Sequence, residues 1–339
     1  MSTPIILNIP SATGSYLKNC KDGMDLAKAH GYSGVRFSAG LSGYGNSAAA
    51  DTSYVKQAVQ YAHSIGLDKV SILLNLAPKP DGTTIKSLNG GHALQVPHLP
   101  SATPVLDWVA RAWQDFVNAA RTVAPDSFLE WEWLNEGCRG GNQQPIDANN
   151  TFTTYSTLLD GQYPAQTAIT LDYISSRVNF HACNTIALTL EGSATTSATR
   201  EVNSISGATW ASVINRATHI GTNRYASAPA TPYNAAATKA AYSAKLNDQL
   251  NRMAANPLIG AKPVKLREFG LDYQRKPPCT IANRIRNDLV AQVKTEGGVV
   301  DAGVFCAFDV TGNTAQGQAF WFKTYNLNKT PIDGVAVGP

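Results

Sequence analysis

Short β-like runs alternate with longer helical patterns along the whole chain, and this alternation restricts the possible folds more than any other feature of the sequence. Three such runs are residues 5–9, 34–38 and 70–76, whose apolar residues are mostly Val, Ile, Leu and Phe. These residue types are common in strands that are buried in a parallel sheet. Strands separated by helices build such sheets from βα units, so the sequence predicts an α/β protein.

The number of predicted strands points to a closed barrel. Eight strands are expected, at residues 5–9, 34–38, 70–76, 128–135, 185–190, 219–225, 264–269 and 303–308. Closure removes the unpaired edges that an open sheet of eight strands would leave. Residues 151–183 have a mainly helical pattern, although 169–174 alone has the pattern of a strand. We therefore expect a single (β/α)8 TIM barrel domain over residues 1–339, with a short or degraded last helix.

Glycines mark the ends of the first two predicted helices. A helix over residues 15–30 is expected to end at Gly31, because glycine adopts the left-handed conformation that closes a last turn without steric cost. The next helix has apolar residues at helical spacing and is expected to stop at Gly66. Asp51 is predicted to be its N-cap.

The charge composition argues against nucleic acid as a partner. The chain carries 28 Lys and Arg residues and 24 Asp and Glu residues, and they are scattered along it. Nucleic-acid binding calls for a clustered basic surface. No apolar run reaches the roughly 18 residues of a membrane span. We expect a soluble monomer. The start of the chain lacks a secretory signal pattern, and secreted, phage-borne, lysis-released and cytoplasmic locations stay open.

The cysteines and histidines lack the spacing of a metal site. The five cysteines are far apart, with no C-x-x-C pair, and neither H-x-H nor H-E-x-x-H occurs. We therefore expect no metal ion and no other cofactor.

Two glutamates stand where a barrel of this kind places its chemistry. Active residues of (β/α)8 barrels lie at the carboxyl ends of strands and in the loops that follow. Glu136 closes the fourth predicted strand, in Phe-Leu-Glu-Trp-Glu-Trp-Leu-Asn-Glu, and Glu268 lies near the end of the seventh, in Val-Lys-Leu-Arg-Glu-Phe-Gly. These two carboxyl groups are the candidate reactive pair.

The segments around both glutamates resemble a known group of enzymes. Trp-Leu-Asn135-Glu136 on strand four and Arg-Glu268-Phe-Gly on strand seven are similar to clan A, the retaining barrel glycosidases with glutamates on those strands. The resemblance implies that Glu136 is the acid/base, that Glu268 is the nucleophile and that Asn135 binds the sugar 2-hydroxyl. It also implies a polysaccharide or oligosaccharide substrate with β linkages.

The same resemblance extends to strands two and six. Arg36 is similar to the strand-two arginine of the clan, and Asn223 and Tyr225 stand where related enzymes often place a His and a Tyr. It implies that Arg36 and Tyr225 hold Glu268 ionised. The strand-eight aromatic residue of the clan is not assigned, and Trp321 and Trp210 are the candidates for stacking on sugar.

Glycoside hydrolysis needs one neutral and one charged carboxyl group. The leaving oxygen must gain a proton while the anomeric carbon is captured from the other face of the ring. A retaining enzyme holds the two groups roughly 5–5.5 Å apart, whereas an inverting enzyme needs about 6.5–9.5 Å to admit a water. Retention is expected here from the clan resemblance alone.

Strand alternation adds an expectation about the fourth strand. Glu130 and Glu132 share the strand face of Glu136, so both are expected to point inward unless a bulge breaks the alternation. Trp131 and Trp133 are then expected to pack outward, under the helices.

Two alternatives to hydrolysis stay open. One is a carbohydrate-binding barrel that has lost catalysis, since the strand-six histidine and the strand-eight aromatic are not secure. The other is a barrel lyase or aldolase with Lys265 as a Schiff base. That role is disfavoured because Lys265 comes early on strand seven and the reactive lysine should point into the barrel.

Overall fold

The chain folds into a closed barrel of eight parallel strands. The computed structural model describes residues 5–9, 11–12, 14, 17–29, 31–39, 44–74, 103–134, 162–180, 185–191, 202, 205–227, 235–272 and 300–306. The strands are β1 (Ile5–Asn8), β2 (Gly34–Ala39), β3 (Lys69–Leu74), β4 (Leu129–Leu134), β5 (Thr185–Glu191), β6 (His219–Ser227), β7 (Val264–Asp272) and β8 (Val300–Cys306).

Each strand pairs in parallel with the next one in the sequence, and β8 pairs with β1 to close the barrel. This arrangement confirms the predicted fold. The eighth strand begins at Val300, three residues before its predicted start. The predicted last helix lies outside the described residues.

Within the described ranges six α-helices connect the strands. They are α1 (Leu17–Ala29), α2 (Tyr44–Ser64), α3 (Thr103–Arg121), α4 (Gln162–Ser175), α5 (Gly207–Arg216) and α6 (Ala235–Ala255). A short 3-10 helix, Asp126–Phe128, leads into β4. None of the helices described is long and apolar enough to cross a bilayer.

One local expectation about helices is confirmed and another is wrong. Residues 169–174 are helical, as predicted for 151–183, and lie inside α4, where Ala168, Leu171 and Ile174 are buried at helical spacing and Ile169 is exposed. The Asp51 N-cap is wrong, because α2 begins seven residues earlier, at Tyr44. An alanine run precedes Asp51, and alanine is the residue that most favours helix continuation.

Glycine ends α1 and α2 as predicted. Gly31 and Gly66 have φ angles of 74° and 73°, in the left-handed region. The following Tyr32 N–H donates to the Ala27 carbonyl over 3.0 Å, which is the hydrogen bond of a Schellman cap. After Gly31 the chain enters β2, and after Gly66 it enters β3.

The main hydrophobic core lies between the strands and the helices. Its largest buried members include aromatic side chains from β2, β4, α3 and the segment after α4, namely Phe37, Trp131, Trp133, Trp113 and Phe180. Burying a large apolar side chain contributes about 1.5–3 kcal/mol. This outer layer is therefore the main source of stability for the barrel.

Candidate active site

The barrel interior holds charged side chains. Glu130 and Glu132 of β4 contact residues of β2 and β7, which are not neighbours of β4 in the sheet, so these contacts cross the lumen. Interiors of such barrels are usually filled by branched apolar residues. The buried charged side chains seen here are Arg36, Glu130, Glu132, Lys265 and Arg267, each at most 2% exposed. We refer to these five residues as the lumen network.

Glu132 lies at the centre of the lumen network. Its Oε2 accepts a hydrogen bond from Arg36 Nε at 2.7 Å, and its Oε1 accepts one from Arg36 Nη2 at 3.0 Å. Arg267 Nη2 donates to the same Oε2 at 2.9 Å. Paired guanidinium–carboxylate hydrogen bonds of this kind fix the orientation of both groups.

Glu130 has a separate set of partners. Lys265 Nζ donates to its Oε2 at 2.7 Å, Ser71 Oγ donates to its Oε1 at 3.1 Å, and Arg267 forms an ion pair with Oε1. Burial alone would raise the pKa of Glu130, but the charges of Arg267, Lys265 and Lys69 outweigh it and hold the pKa well below its ordinary value. Glu130 is therefore ionised at neutral pH.

The lumen network carries an excess of positive charge. Its members are three cations, Arg36, Lys265 and Arg267, and two carboxylates, Glu130 and Glu132. Buried charges are stable only when opposite charges compensate them. Within the described side chains the network therefore has one more cation than carboxylate.

The structure places four of the predicted site residues on strands. Arg36 is on β2, and Asn223 and Tyr225 are on β6. Glu268 is on β7, with Asn223 as its register partner, and Asn223 pairs in turn with Glu191 at the end of β5. Glu191, Asn223 and Glu268 thus occupy one row across three adjacent strands.

The other predicted site residues lie beyond the described ranges. Asn135 and Glu136 directly follow Leu134, the last residue of β4. Trp321 comes after the end of β8. The roles of these three residues stay predictions.

Bulges interrupt β4, which precedes Glu136, and β7, which carries Glu268. In the pairing of β4 with β5 the register passes from Glu132 to Leu134 and skips Trp133. In the pairing of β6 with β7 it skips Arg267. An extra residue breaks the alternation of strand faces, so parity counted from Glu130 or Lys265 does not extend past these points.

The predicted alternation along β4 is confirmed up to the bulge. Glu130 and Glu132 point into the lumen, whereas Trp131 and Trp133 are fully buried on the helix side. Their rings lie 6.4 and 5.4 Å from that of Phe180, measured between centroids.

Two expectations about individual side chains are wrong. Trp210 on α5 is 2% exposed and belongs to the hydrophobic core, so it is not a surface for sugar. Lys265 does point into the barrel despite its early position on β7, and it is completely buried against Glu130. An amine held in this ion pair has no free access for a Schiff-base substrate.

Sequence reasoning missed the role of Lys265 and Arg267 as partners of the β4 carboxylates. The signal was present, since Lys-Leu-Arg on strand seven places two cations on one face and Glu-Trp-Glu on strand four places two anions on one face. Arg36 was predicted to hold Glu268 ionised. The structure assigns it Glu132 as a partner, and its relation to Glu268 stays a prediction.

The part of the chain that the structure describes holds no cluster of three His, Cys, Asp or Glu side chains arranged to hold a metal ion.

Comparison with known proteins identifies the fold. No protein-family model and no curated protein sequence matches the chain. Among solved structures it is similar to a mutant GH5_18 protein from Streptomyces cattleya in complex with Manβ1-4GlcNAc, with a TM-score of 0.64 and 13% identity over 98% of this chain and 78% of that one.

Two further solved structures cover nearly the whole of both chains. One is an active-site mutant of the β-1,3-glucanosyltransferase from Rhizomucor miehei in complex with laminaritriose, with a TM-score of 0.54, 13% identity and coverage of 98% and 97%. The other is the endo-1,4-β-D-mannanase from Thermotoga petrophila, with a TM-score of 0.55, 13% identity and coverage of 95% and 93%. The chain therefore has the TIM-barrel fold that these structures share.

Proposed function

We propose that this chain is a glycoside hydrolase that cleaves a β-linked polysaccharide or oligosaccharide with retention of configuration. The observation that carries the proposal is the contact between β4 and β7 across the lumen, made by Glu130 and Glu132 with Lys265 and Arg267. Glu268 follows Arg267 on β7, and Glu136 comes two residues after the end of β4. β7, which carries Glu268, and β4, which precedes Glu136 in the chain, are thus within side-chain reach of each other.

In the proposed mechanism Glu136 protonates the leaving oxygen while Glu268 attacks the anomeric carbon. The glycosyl-enzyme ester that forms is then hydrolysed by a water, from which Glu136 removes a proton. Asn135 hydrogen-bonds the 2-hydroxyl, Arg36 and Tyr225 support the charge of Glu268, and Asn223 and Trp321 contact the sugar. No cofactor takes part.

The charge of the lumen supports these roles. A nucleophilic carboxylate must be ionised, and a neighbouring positive charge lowers the pKa of a carboxyl group. The excess positive charge of the lumen network favours the ionised form of Glu268. An ionised Glu268 in turn raises the pKa of a nearby Glu136, which lets Glu136 serve as the acid.

The similar structures guide the choice of substrates. They include a β-1,3-glucanosyltransferase, an endo-1,4-β-mannanase and a broad-specificity endoglucanase. We therefore propose β-1,3-glucan, β-1,4-glucan and β-1,4-mannan, with their oligosaccharides, as the first panel. We also propose that residues 1–339 act as one catalytic domain and as a monomer, which size-exclusion chromatography with light scattering tests.

The decisive experiment removes each carboxyl group without changing its shape. Glu136→Gln and Glu268→Gln are each expected to lower kcat/KM by at least about 10²–10⁴-fold on the substrate that the parent cleaves best. Glu191→Gln is the matched control, because Glu191 shares the register row of Glu268, and it is expected to keep parent activity. Parent-level activity in either variant of the proposed pair would refute the assignment.

The stereochemistry of the first product tests the retaining mechanism separately. Proton NMR of the freshly released anomer is expected to show the β form from a β-linked substrate. An α product would establish inversion. Binding of a glycan without turnover by the parent would favour the alternative of an inactive carbohydrate-binding barrel.

A further inference from the structure

Glu132 links three strands through one carboxylate. It lies on β4 and accepts hydrogen bonds from Arg36 of β2, at 2.7 and 3.0 Å, and from Arg267 of β7, at 2.9 Å. Neither β2 nor β7 is a neighbour of β4 in the barrel. The backbone hydrogen bonds of the sheet therefore do not directly fix the positions of these strands relative to β4, and the side-chain contacts do.

Two of the linked strands, β2 and β7, carry charged groups of the proposed reaction, and the third, β4, precedes Glu136 in the chain. Glu132 precedes Glu136 by four residues, and Arg267 immediately precedes Glu268. Arg36 is itself a proposed partner of Glu268. A displacement at Glu132 is therefore transmitted over a short length of chain to both glutamates.

The contacts have a single available geometry. Glu132 and Arg267 are completely buried, and Arg36 is 2% exposed, so water does not replace a missing hydrogen bond. The planar guanidinium of Arg36 binds both carboxylate oxygens, which fixes orientation as well as distance. A neutral or shorter side chain at this position loses that geometry.

We propose that Glu132 is a positioning residue of this active site, which holds Arg36 and Arg267 so that β2, β4 and β7 place Glu136 and Glu268 at the separation that the reaction needs. The inference rests on the proposed glycosidase function. It goes beyond that function by assigning a role to a residue that touches neither the substrate nor the reacting atoms.

Glu130 does not fit this role equally well. Its partners Lys265 and Arg267 are both on β7, and Ser71 is on the adjacent β3. Glu130 therefore ties β4 to one distant strand, whereas Glu132 ties it to two. It also lies two residues further from Glu136.

The test compares two variants of Glu132 with a control on the same strand. Glu132→Gln keeps the shape and removes the charge, and Glu132→Asp keeps the charge and shortens the side chain. Trp131→Phe alters the neighbouring residue, which faces the helices and not the lumen. Each protein is assayed on the substrate that the parent cleaves best, at a temperature where circular dichroism shows it folded.

Both Glu132 variants are expected to lower kcat by about 10²-fold, because a misplacement of about 1 Å between reacting groups costs that much. KM is expected to stay close to the parent value, since no substrate contact is removed. Trp131→Phe is expected to keep both parameters. This split between kcat and KM is a result that a purely structural role would not produce.

The results that would overturn the proposal can be distinguished from one another. Parent-level kcat in a folded Glu132→Gln would remove the positioning role and leave the proposed function intact. If Glu132→Gln does not fold, the kcat of Glu132→Asp decides, and failure of both to fold would assign Glu132 a structural role only. A parent that cleaves nothing on the panel would remove the proposed function and this inference together.

Discussion

The two faces of β4 bury opposite kinds of side chain within four consecutive residues. On the helix side Trp131 and Trp133 are completely buried among apolar groups. On the lumen side Glu130 and Glu132 are equally buried, but among cations. Burial of the tryptophans is directly favourable, whereas burial of the carboxylates is tolerable only because each one meets opposite charges.

The two faces of β4 make different contributions: apolar burial stabilises the barrel, and the buried ion pairs give its lumen one defined arrangement. A buried ion pair gains little net free energy, because desolvation offsets most of the attraction. Its loss is nevertheless costly, since the remaining charge stays buried without compensation. We therefore attribute the stability of the barrel mainly to the outer layer and the defined geometry of its lumen to the network.

The largest loss of stability is expected from removing one carboxylate of the lumen network. Glu130→Leu leaves Lys265 and Arg267 short of their shared anion and is expected to lower the free energy of unfolding by about 3–5 kcal/mol. Urea denaturation at pH 7 measures the loss. A loss below about 1 kcal/mol would show that the lumen compensates its charges in another way.

A triple variant provides the control for that experiment. Replacing Glu130, Lys265 and Arg267 together by apolar residues of similar size removes the uncompensated charges and leaves the Arg36–Glu132 pair. Its free energy of unfolding is expected to lie closer to the parent than to Glu130→Leu, because apolar replacement of a buried ionic cluster is often neutral or stabilising by about 1–4 kcal/mol. A triple variant less stable than the single one would contradict the explanation.

The charge of Glu130 predicts that the stability of the protein depends on pH. The folded pKa of Glu130 lies below its ordinary value of 4.5, because the charges of Arg267, Lys265 and Lys69 outweigh the effect of burial, which alone would raise it. Its contribution to stability is therefore complete above the unfolded pKa and is lost as the pH falls through the folded pKa. The difference in free energy of unfolding between the parent and Glu130→Gln is expected to narrow as the pH falls below 4.5. A constant difference down to low pH would exclude a depressed pKa.

A smaller loss of stability is expected from a substitution on the helix-facing side of β4. Trp131→Phe keeps an apolar ring under the helices but leaves a small cavity, and we expect a loss of about 1–2 kcal/mol. Thermal and urea unfolding at pH 7 measure this loss. A loss larger than that of Glu130→Leu would reverse the ranking of the two faces.

The sequence predicted the fold well, because strand and helix periodicity is local information. Gly31 and Gly66 marked helix ends correctly, since the left-handed conformation there is available mainly to glycine. Residues 169–174 have strand-like composition but are helical, as predicted, because α4 buries Ala168, Leu171 and Ile174 on one side. The error was the N-cap at Asp51, because the alanines before it continue the helix back to Tyr44.

The candidate site was predicted only in part, because its contacts join distant parts of the chain. Alternation correctly placed Glu130 and Glu132 inside the barrel. Their partners Lys265 and Arg267 are 135 residues away along the chain, so the local pattern indicated a charged face on each strand but not that the two faces pair. The bulges at Trp133 and Arg267 were also invisible to periodicity, since a bulge depends on the neighbouring strand.

The smallest loss of stability is expected from breaking an ion pair that lies on the exposed surface of a helix. Arg252 and Asp248, four residues apart on α6, form an ion pair of 2.9 Å with side chains 42% and 56% exposed. Arg252→Gln is expected to cost only about 0.3–0.5 kcal/mol, and less at high salt, because water and ions screen an exposed pair. Chemical denaturation in low and high salt tests this. If the variant cost as much as Glu130→Leu, burial would not be what separates the two kinds of ion pair.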